Sequence, residues 1–422
     1  MRDVGRHREW ASVRLGVCFN EVDERVGDGD AGVLLSVSQY QGVVRRESLT
    51  SKPPSASDFS KYKRCRVGDI VLNRFNAYRG SLGVAAEAGI VSPDYLVLRP
   101  ISANPFYVEY LLRSHHLSSL MKQTMGGIGA ADPDSSGFSR IDTRELFRFD
   151  VSLPEPSEQT EVAAFLDRET AEIDAFIADQ EELIGLLAER RAATISHAVT
   201  KGLDPTVPMK DSGIGWLGEV PEHWQVRSIR SLSAVKRGAS PRPIDDPVYF
   251  DDDGIWSWVR IQDVTASDGF LVETAQRLST LGASLSVKLS PGALFLSIAG
   301  SVGKPCIAGI KCCIHDGFVY FPALGEAISG FLFRAFESGQ PFLGLGKLGT
   351  QLNLNTDTVG GVSIAIPPLR EIAEILANLE VRLSELDATI ADARDAIALS
   401  RERRAALISA AVTGKIDVRG AA

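Results

Sequence analysis

An internal repeat constrains this chain more than any other feature. Residues 153–204 align without a gap onto residues 366–417, and about half of the aligned positions are identical. The best-matched stretch is ERRAATISHAVTKGLD, Glu189 to Asp204, against ERRAALISAAVTGKID, Glu402 to Asp417. Both copies follow a proline-marked strand end, VSLPEPSEQ and VSIAIPPLRE. Proline disfavours a preceding helix but tolerates a helix start. In the first copy the apolar positions are Val162, Leu166, Ile173, Phe176, Ile177, Leu183, Ile184, Leu187 and Ile195. In the second they are Ile372, Leu376, Leu379, Leu383, Leu386, Ile390, Ala393 and Ile397. Steps of three and four predict long helices with a heptad-like seam. Between Gln159 and Thr200 such a helix runs roughly 60 Å at 1.5 Å per residue. One narrow apolar stripe needs a partner, so the two copies are expected to pack together as an antiparallel coiled coil, the other arrangement being each helix on its own globule.

The segments between the helices are related more weakly. Val67-Gly68-Asp69-Ile70-Val71-Leu72 resembles Ser290-Pro291-Gly292-Ala293-Leu294-Phe295-Leu296. Each is followed by a GSxG turn, Gly80 to Gly83 and Gly300 to Gly303, and then by a strand pair, GIVSPDYLVL and KCCIHDGFVYF. Trp10 and Trp224 take similar starting positions. The chain therefore reads as a tandem duplication: globule 1–152, helix 153–203, linker 204–223, globule 224–365, helix 366–417. The linker is assigned on its Pro and Gly content and its lack of a period. The fold class is α+β, two mixed domains separated by two long antiparallel helices.

Charge is unevenly spread. The net charge is −9 over 422 residues. Residues 151–204 carry 4 Lys and Arg against 12 Asp and Glu, whereas residues 1–150 carry 20 against 18. The acidity thus belongs to the first helix, and its outer face is a candidate partner-docking surface or a merely solvated one. The globules are near neutral, so charge alone demonstrates no basic face on either. The start, MRDVGRHREW, lacks the apolar core of a signal peptide, and no run of about 18 apolar residues occurs. A soluble, cytoplasmic protein is expected. Five scattered cysteines suggest neither a disulfide framework nor a zinc site.

Catalytic motifs are incomplete. Asn104-Pro105-Phe106-Tyr107 superficially resembles the NPPY motif of adenine methyltransferases, but lacks the second proline and an FxGxG companion. Gly344-Leu345-Gly346-Lys347 does not extend to a phosphate-binding GxxxxGK[ST]. Pro93-Asp94 has no suitably spaced ExK. His115, His116 and His197 fall on helices and read as surface or capping residues, and Asp251 to Asp253 as a solvated turn, since calcium loops alternate their ligands.

Two similar globules held apart by a rod suit a periodic polymer. Duplex DNA repeats about every 34 Å, so each globule can face the same groove. The globules differ in sequence, so their half-sites should differ. Here a family resemblance enters. Pro154 to Trp224, ending in KDSGIGWLGEVPEHW, resembles the central region of specificity subunits of type I restriction–modification systems. LLSVSQYQGVVRR, GDIVLNRFNAYRGSLGV and SPDYLVL are similar to one class of target recognition domain in that family. VKRGASP, WSWVRIQDV and LSPGALFLSIAGSVGK are similar to another. Before Trp10 the corresponding lead-in is missing, so the first domain is expected to begin irregularly.

The resemblance implies a non-catalytic subunit with two target recognition domains reading a bipartite, asymmetric double-stranded DNA site. It also implies two methyltransferase subunits, which modify adenine, and two restriction/motor subunits as partners. S-adenosylmethionine, ATP and magnesium are then expected on those partners, with no cofactor or metal here. Candidate DNA contacts follow from residue type, since Arg and Lys suit guanine edges and phosphates and Asn and Gln suit adenine. In the first domain they are Tyr40, Gln41, Arg45, Arg46, Asn73, Arg74, Asn76, Tyr78 and Arg79, with Lys61, Lys63 and Arg64 nearby. In the second they are Lys236, Arg237, Ser240, Arg242, Arg260, Gln262, Ser301 and Lys304. The rival readings are a coiled-coil protein-interaction scaffold and an enzyme with its own transferase site.

Overall fold

The computed structural model describes residues 10–29, 32–54, 56, 58–126, 140–343 and 354–418. The chain divides into two compact units, residues 1–181 with 394–422, and residues 182–393. Two long helices, Pro156–Lys201 and Leu369–Val412, each contribute one end to each unit.

In the first unit, Phe19–Glu21, Tyr95–Pro100, Ile70–Asn73 and Leu82–Val84 form an antiparallel four-stranded sheet in that order. Alternation sorts its side chains. Ile70, Leu72, Leu96 and Leu98 enter a core with Tyr107, Val108, Leu111 and Leu112 of the helix Pro105–Arg113. Val71 and Val97 point to the other face, against Val37, Val43 and Val91. A sheet buried on both faces explains the unbroken apolar runs Ile70-Val71-Leu72 and Leu96-Val97-Leu98. The strand Ala11–Arg14 pairs with Asp150–Leu153, which leads into the first long helix.

The second unit holds a five-stranded sheet in the order Lys236–Arg237, Phe318–Tyr320, Leu294–Ser297, Pro305–Ala308, Phe270–Leu271. A four-stranded sheet runs Gln276–Leu278, Trp256–Val259, Cys312–Ile314, Val287–Leu289. The helix Glu326–Glu337 buries Phe331, Leu332 and Phe336 in the main core with Leu294, Leu296 and Trp224. Gln225–Ser228 pairs with Ser363–Ile366, which leads into the second long helix as its counterpart leads into the first.

The repeat extends to backbone detail. Gly68 and Gly292 sit at φ 88° and 89° just before their strands, a left-handed conformation that favours glycine. Gly68 N–H donates to Ala85 O at 2.9 Å, and Gly292 N–H donates to Ala308 O at 2.8 Å.

Within each unit the long helices run antiparallel. In the first, Arg404 pairs with Asp174 and Arg401 with Glu181, so rising numbers on one helix meet falling numbers on the other. In the second, Arg191 pairs with Asp387. The duplicated helix ends are core elements: Ile408, Ala411 and Val412 pack in the first unit with Leu15, Val162 and Leu166. Ile195, Ala198 and Val199 pack in the second with Trp224, Ile372 and Ile375.

Two expectations need correction. Phe176 and Leu183 are exposed, 44% and 37%, and do not belong to the buried seam. At 100° per residue Ile177 lies closer than Phe176 to the meridian set by buried Ile173. Residues 204–223 are also more than a structureless connection. Met209–Asp211 pairs with Glu219–Pro221 in a hairpin, and Leu217 and Val220 are buried in the second unit's core. Among the described residues no helix is long and apolar enough to cross a membrane.

Candidate nucleic-acid interface

The first unit's candidates separate into two groups. The turn between Leu35–Ser38 and Gly42–Arg45 carries Tyr40 and Gln41, whose backbone N–H groups both donate to Ser38 Oγ, at 3.2 and 3.3 Å. Tyr40 is 88% exposed, so its ring is open to contact from solvent. Arg113 fixes this turn against its neighbour. Its guanidinium donates to Gln39 O at 3.2 Å and Leu82 O at 2.5 Å, while Glu109 accepts from its Nε at 3.0 Å. The neighbouring turn carries exposed Asn76 and Arg79, with the Arg79 guanidinium over the Tyr78 ring at 5.2 Å. Tyr40, Gln41, Asn76, Tyr78 and Arg79 thus stand on two adjoining turns. Arg113, the positioning residue, reads in the sequence as an ordinary helix residue.

The other candidates there are engaged within the chain. Arg45 holds Glu87 through two bonds of 2.8 Å, which raises the guanidinium's pKa and lowers the carboxyl's. Arg46 donates to Lys52 O and Pro53 O. Arg74 donates to Ile141 O at 3.0 and 3.3 Å, and burial lowers its pKa. Asn73 Oδ1 accepts from Phe75 N–H. Lys63 is buried, with Nζ on Tyr95 O at 2.8 Å and Asp23 at 3.6 Å. Lys61 is exposed and Arg64 half-buried.

In the second unit, Arg237, Ser240 and Arg242 converge on Asp316, a residue with no such signal in the sequence. Ser240 Oγ and Arg242 Nη2 donate to its carboxylate at 2.9 and 2.8 Å, and Arg237 Nε donates to its carbonyl at 2.5 Å. Gly238 makes this approach possible, because a Cβ there would stand 2.1 Å from His315 O. Partial burial works to raise the Asp316 carboxyl, but the Ser240 hydrogen bond and the Arg242 charge outweigh it and hold the group below the usual range. His315 lies between the Trp258 and Phe318 rings and accepts Gly317 N–H at Nδ1, 2.8 Å. Burial depresses its pKa against the pull of Asp316, and the Arg260 and Arg237 charges add to the depression. The neutral ring therefore carries its proton on Nε2.

A second group forms where the turn 300–304 meets the helix Ile261–Ala266. Ser301 Oγ is 2.9 Å from Thr265 Oγ1, and Lys304 Nζ donates to Thr265 O and Ser267 O. Gln262 is exposed on the same helix, and Arg260 N–H donates to Asp263 at its start. Lys236 is exposed at the sheet edge.

The motifs weighed for catalysis have local roles. Asn104 is a helix cap, its Oδ1 accepting from Phe106 and Tyr107 N–H at 3.0 and 3.2 Å. Asp251 Oδ1 accepts Asp253 N–H within a turn. His115, His116 and His197 are exposed. Gly344 to Lys347 lie outside the described residues. Among the described residues no group of three or more His, Cys, Asp or Glu could hold a metal ion.

No family model matches the chain. A protein of Methanocaldococcus jannaschii described as "Putative type I restriction enzyme MjaX specificity subunit" is 24% identical over 379 residues, 86% of this chain and 81% of that one. A chain solved in a study of complex assembly and conformational transition of the type I R-M system superposes with a TM-score of 0.68 at 18% identity, covering 97% of this chain and 98% of its own. The HsdS subunit from Thermoanaerobacter tengcongensis gives 0.53 at 16% identity, covering 97% of each. The chain thus resembles a type I specificity subunit in sequence and shares the fold of solved ones, long central and C-terminal helices included.

Proposed function

We propose that this chain, a relative of type I specificity subunits by sequence and fold, is the cytoplasmic DNA-reading component of such a system and carries no catalytic step itself. The first recognition domain reads one half of a bipartite site through the turns bearing Tyr40, Gln41, Asn76 and Arg79. The second reads a different half through the elements around Asp316 and the turn 300–304. The observation that carries this reading is the pairing of a duplicated frame with unlike exposed turns. Gly68 matches Gly292 in geometry, yet the polar groups displayed beyond each strand differ in kind. A reader of two unrelated half-sites needs that combination.

Arg45 and Arg242 are each paired with a carboxylate, and Arg46, Arg237 and Lys304 donate to carbonyls, so these side chains are held within the chain and few are left to swing onto phosphates. Affinity is then supplied by partner methyltransferases, two per chain, which also bring S-adenosylmethionine and take the flipped adenine into their own pockets. Motor-nuclease subunits with ATP and magnesium complete the restriction activity. The long paired helices set the gap between the half-sites.

The same engagement of cations within the chain favours a second reading, a protein-interaction scaffold without direct DNA readout. Single-molecule methylation sequencing separates the two. DNA from cells expressing this chain with its neighbouring methyltransferase is compared with DNA from cells lacking the chain. A split motif modified in both halves, present only with the chain, is expected. An assembled, active methyltransferase with no motif would establish the scaffold instead.

A further inference from the structure

At the junction of the two long helices in the second unit lies a groove of about 490 Å³. Arg190, Thr194 and His197 line it from the first helix, and Asn378 and Arg382 from the second. Ala193, Leu203 and Pro205 add apolar surface, and no acidic residue takes part. Among the described residues, Arg190, His197 and Arg382 make no ion pair, and all three are exposed. This is unexpected in its setting, because residues 151–204 are the most acidic stretch of the chain.

The repeat shows that the groove is a departure from a common plan. Of its five polar lining residues only Arg190 is kept, as Arg403. Thr194 corresponds to Leu407, His197 to Ala410, Asn378 to Phe165 and Arg382 to Glu169. In the first unit Phe165 and Leu407 pack against the core. In the second unit smaller polar residues stand at those positions, and an arginine replaces the glutamate.

We infer that this groove is a docking site for an acidic peptide segment of a partner subunit, present once per chain despite the duplication. Two guanidiniums flanking an apolar surface suit carboxylates carried on a peptide whose aliphatic parts cover Ala193, Leu203 and Pro205. A nucleic-acid backbone would leave that apolar surface uncovered. The inference rests on the proposed assembly with two methyltransferase copies, and it makes those copies inequivalent: one is held by the groove and the other meets Glu169 and packed apolar side chains.

The test uses the full chain with purified methyltransferase subunits, read by native mass spectrometry. The double variant Arg382→Glu, His197→Glu should shift the complex from two bound copies to one, with at least a tenfold loss for the second copy. The mirror-position variant Glu169→Arg should leave both bound. In the wild-type complex, Thr194 replaced by the photo-cross-linker p-benzoylphenylalanine should join to an Asp- or Glu-rich segment of one methyltransferase copy. Equal loss of both copies, loss of neither, or a cross-link to duplex DNA would overturn the docking site while leaving the DNA-reading function standing. Failure of the wild-type chain to assemble with any methyltransferase would overturn the functional reading, and the docking site with it.

Discussion

Arg191 donates to Asp387 at 2.9 Å, and under the 213-residue repeat the same pair recurs with the roles of the helices exchanged, Arg404 donating to Asp174 at 2.9 Å. The copies differ in detail: Arg404 makes a second bond to Asp174, at 3.2 Å, where Arg191 makes one to Asp387. Arg191 also reaches Glu337 at 2.9 Å and is the less exposed arginine of the two. An exposed single pair contributes about 0–1 kcal/mol, whereas a half-buried arginine shared by two carboxylates contributes more. Arg191→Ala should therefore lower stability by about 1–2 kcal/mol and Arg404→Ala by less than about 1 kcal/mol. Urea denaturation of the single variants checks this; an equal or reversed order would show that the Glu337 contact adds nothing.

Arg74 and Arg79 lie five residues apart and should fail in different ways. Arg79→Ala should weaken binding of the assembled complex to its target by about 1–3 kcal/mol if the guanidinium reads a base, with thermal stability kept. Arg74→Ala leaves the Ile141 carbonyl short of two donors and should lower stability by about 1–3 kcal/mol. Fluorescence anisotropy on target duplex, paired with thermal melting, separates the two effects.

Asp316→Ala should release Ser240 and Arg242 together, because both bond its carboxylate, while Arg237 keeps the backbone carbonyl it donates to. The second half of the methylated motif should then relax or vanish while the first half keeps its sequence. Methylation sequencing with the variant reads this directly, and simultaneous loss of both halves would remove the assignment of one half to each domain.

His315 gives stability a defined pH dependence. Its folded pKa lies below the ordinary histidine value, so in the window below about 6.5 the unfolded chain binds more protons than the folded one. Stability is full above that window and should decline as pH falls through it. Melting temperatures between pH 8 and 5 should show the decline in the parent chain and a shallower one in His315→Asn, whose amide oxygen can still accept Gly317 N–H. Identical slopes would place the acid sensitivity elsewhere.

If the helices are the ruler, adding seven residues within Glu181 to Arg191, matched by seven at the mirror position in the second helix, keeps both apolar stripes in phase. The added length is about 10 Å, equal to roughly three base pairs at 3.4 Å each. The gap in the methylated motif should widen by about that number, and an unchanged gap would end the ruler idea.

The long helices were legible because half their positions recur and because a three-four stripe has one geometric meaning. The strands were legible from GIVSPDYLVL and KCCIHDGFVYF, where apolar runs stop at turn residues. The hairpin around Met209 and Val220 was hidden, since its prolines and glycines read as linker while its anchors, Leu217 and Val220, are only two apolar residues. The candidate site was the least legible part. A cation in a sequence does not disclose its partner: Arg74 finds a carbonyl 67 positions away and Arg45 a carboxylate 42 away. Asp316 and Arg113 were passed over for the same reason, because what makes them organisers is the company they keep across 74 to 79 residues.

The first unit is finished by Ile408, Ala411 and Val412, and this has a bearing on how the protein is made. The residues up to 181 leave the ribosome long before those that close their core are translated. At roughly 5–20 residues per second the wait is about 11 to 46 seconds. During that time the first unit must persist with one wall of its core missing, exposed to proteases and chaperones. A chain that stops before Ile408 therefore leaves the first unit unfinished, because a wall of its core is supplied from more than two hundred residues further on.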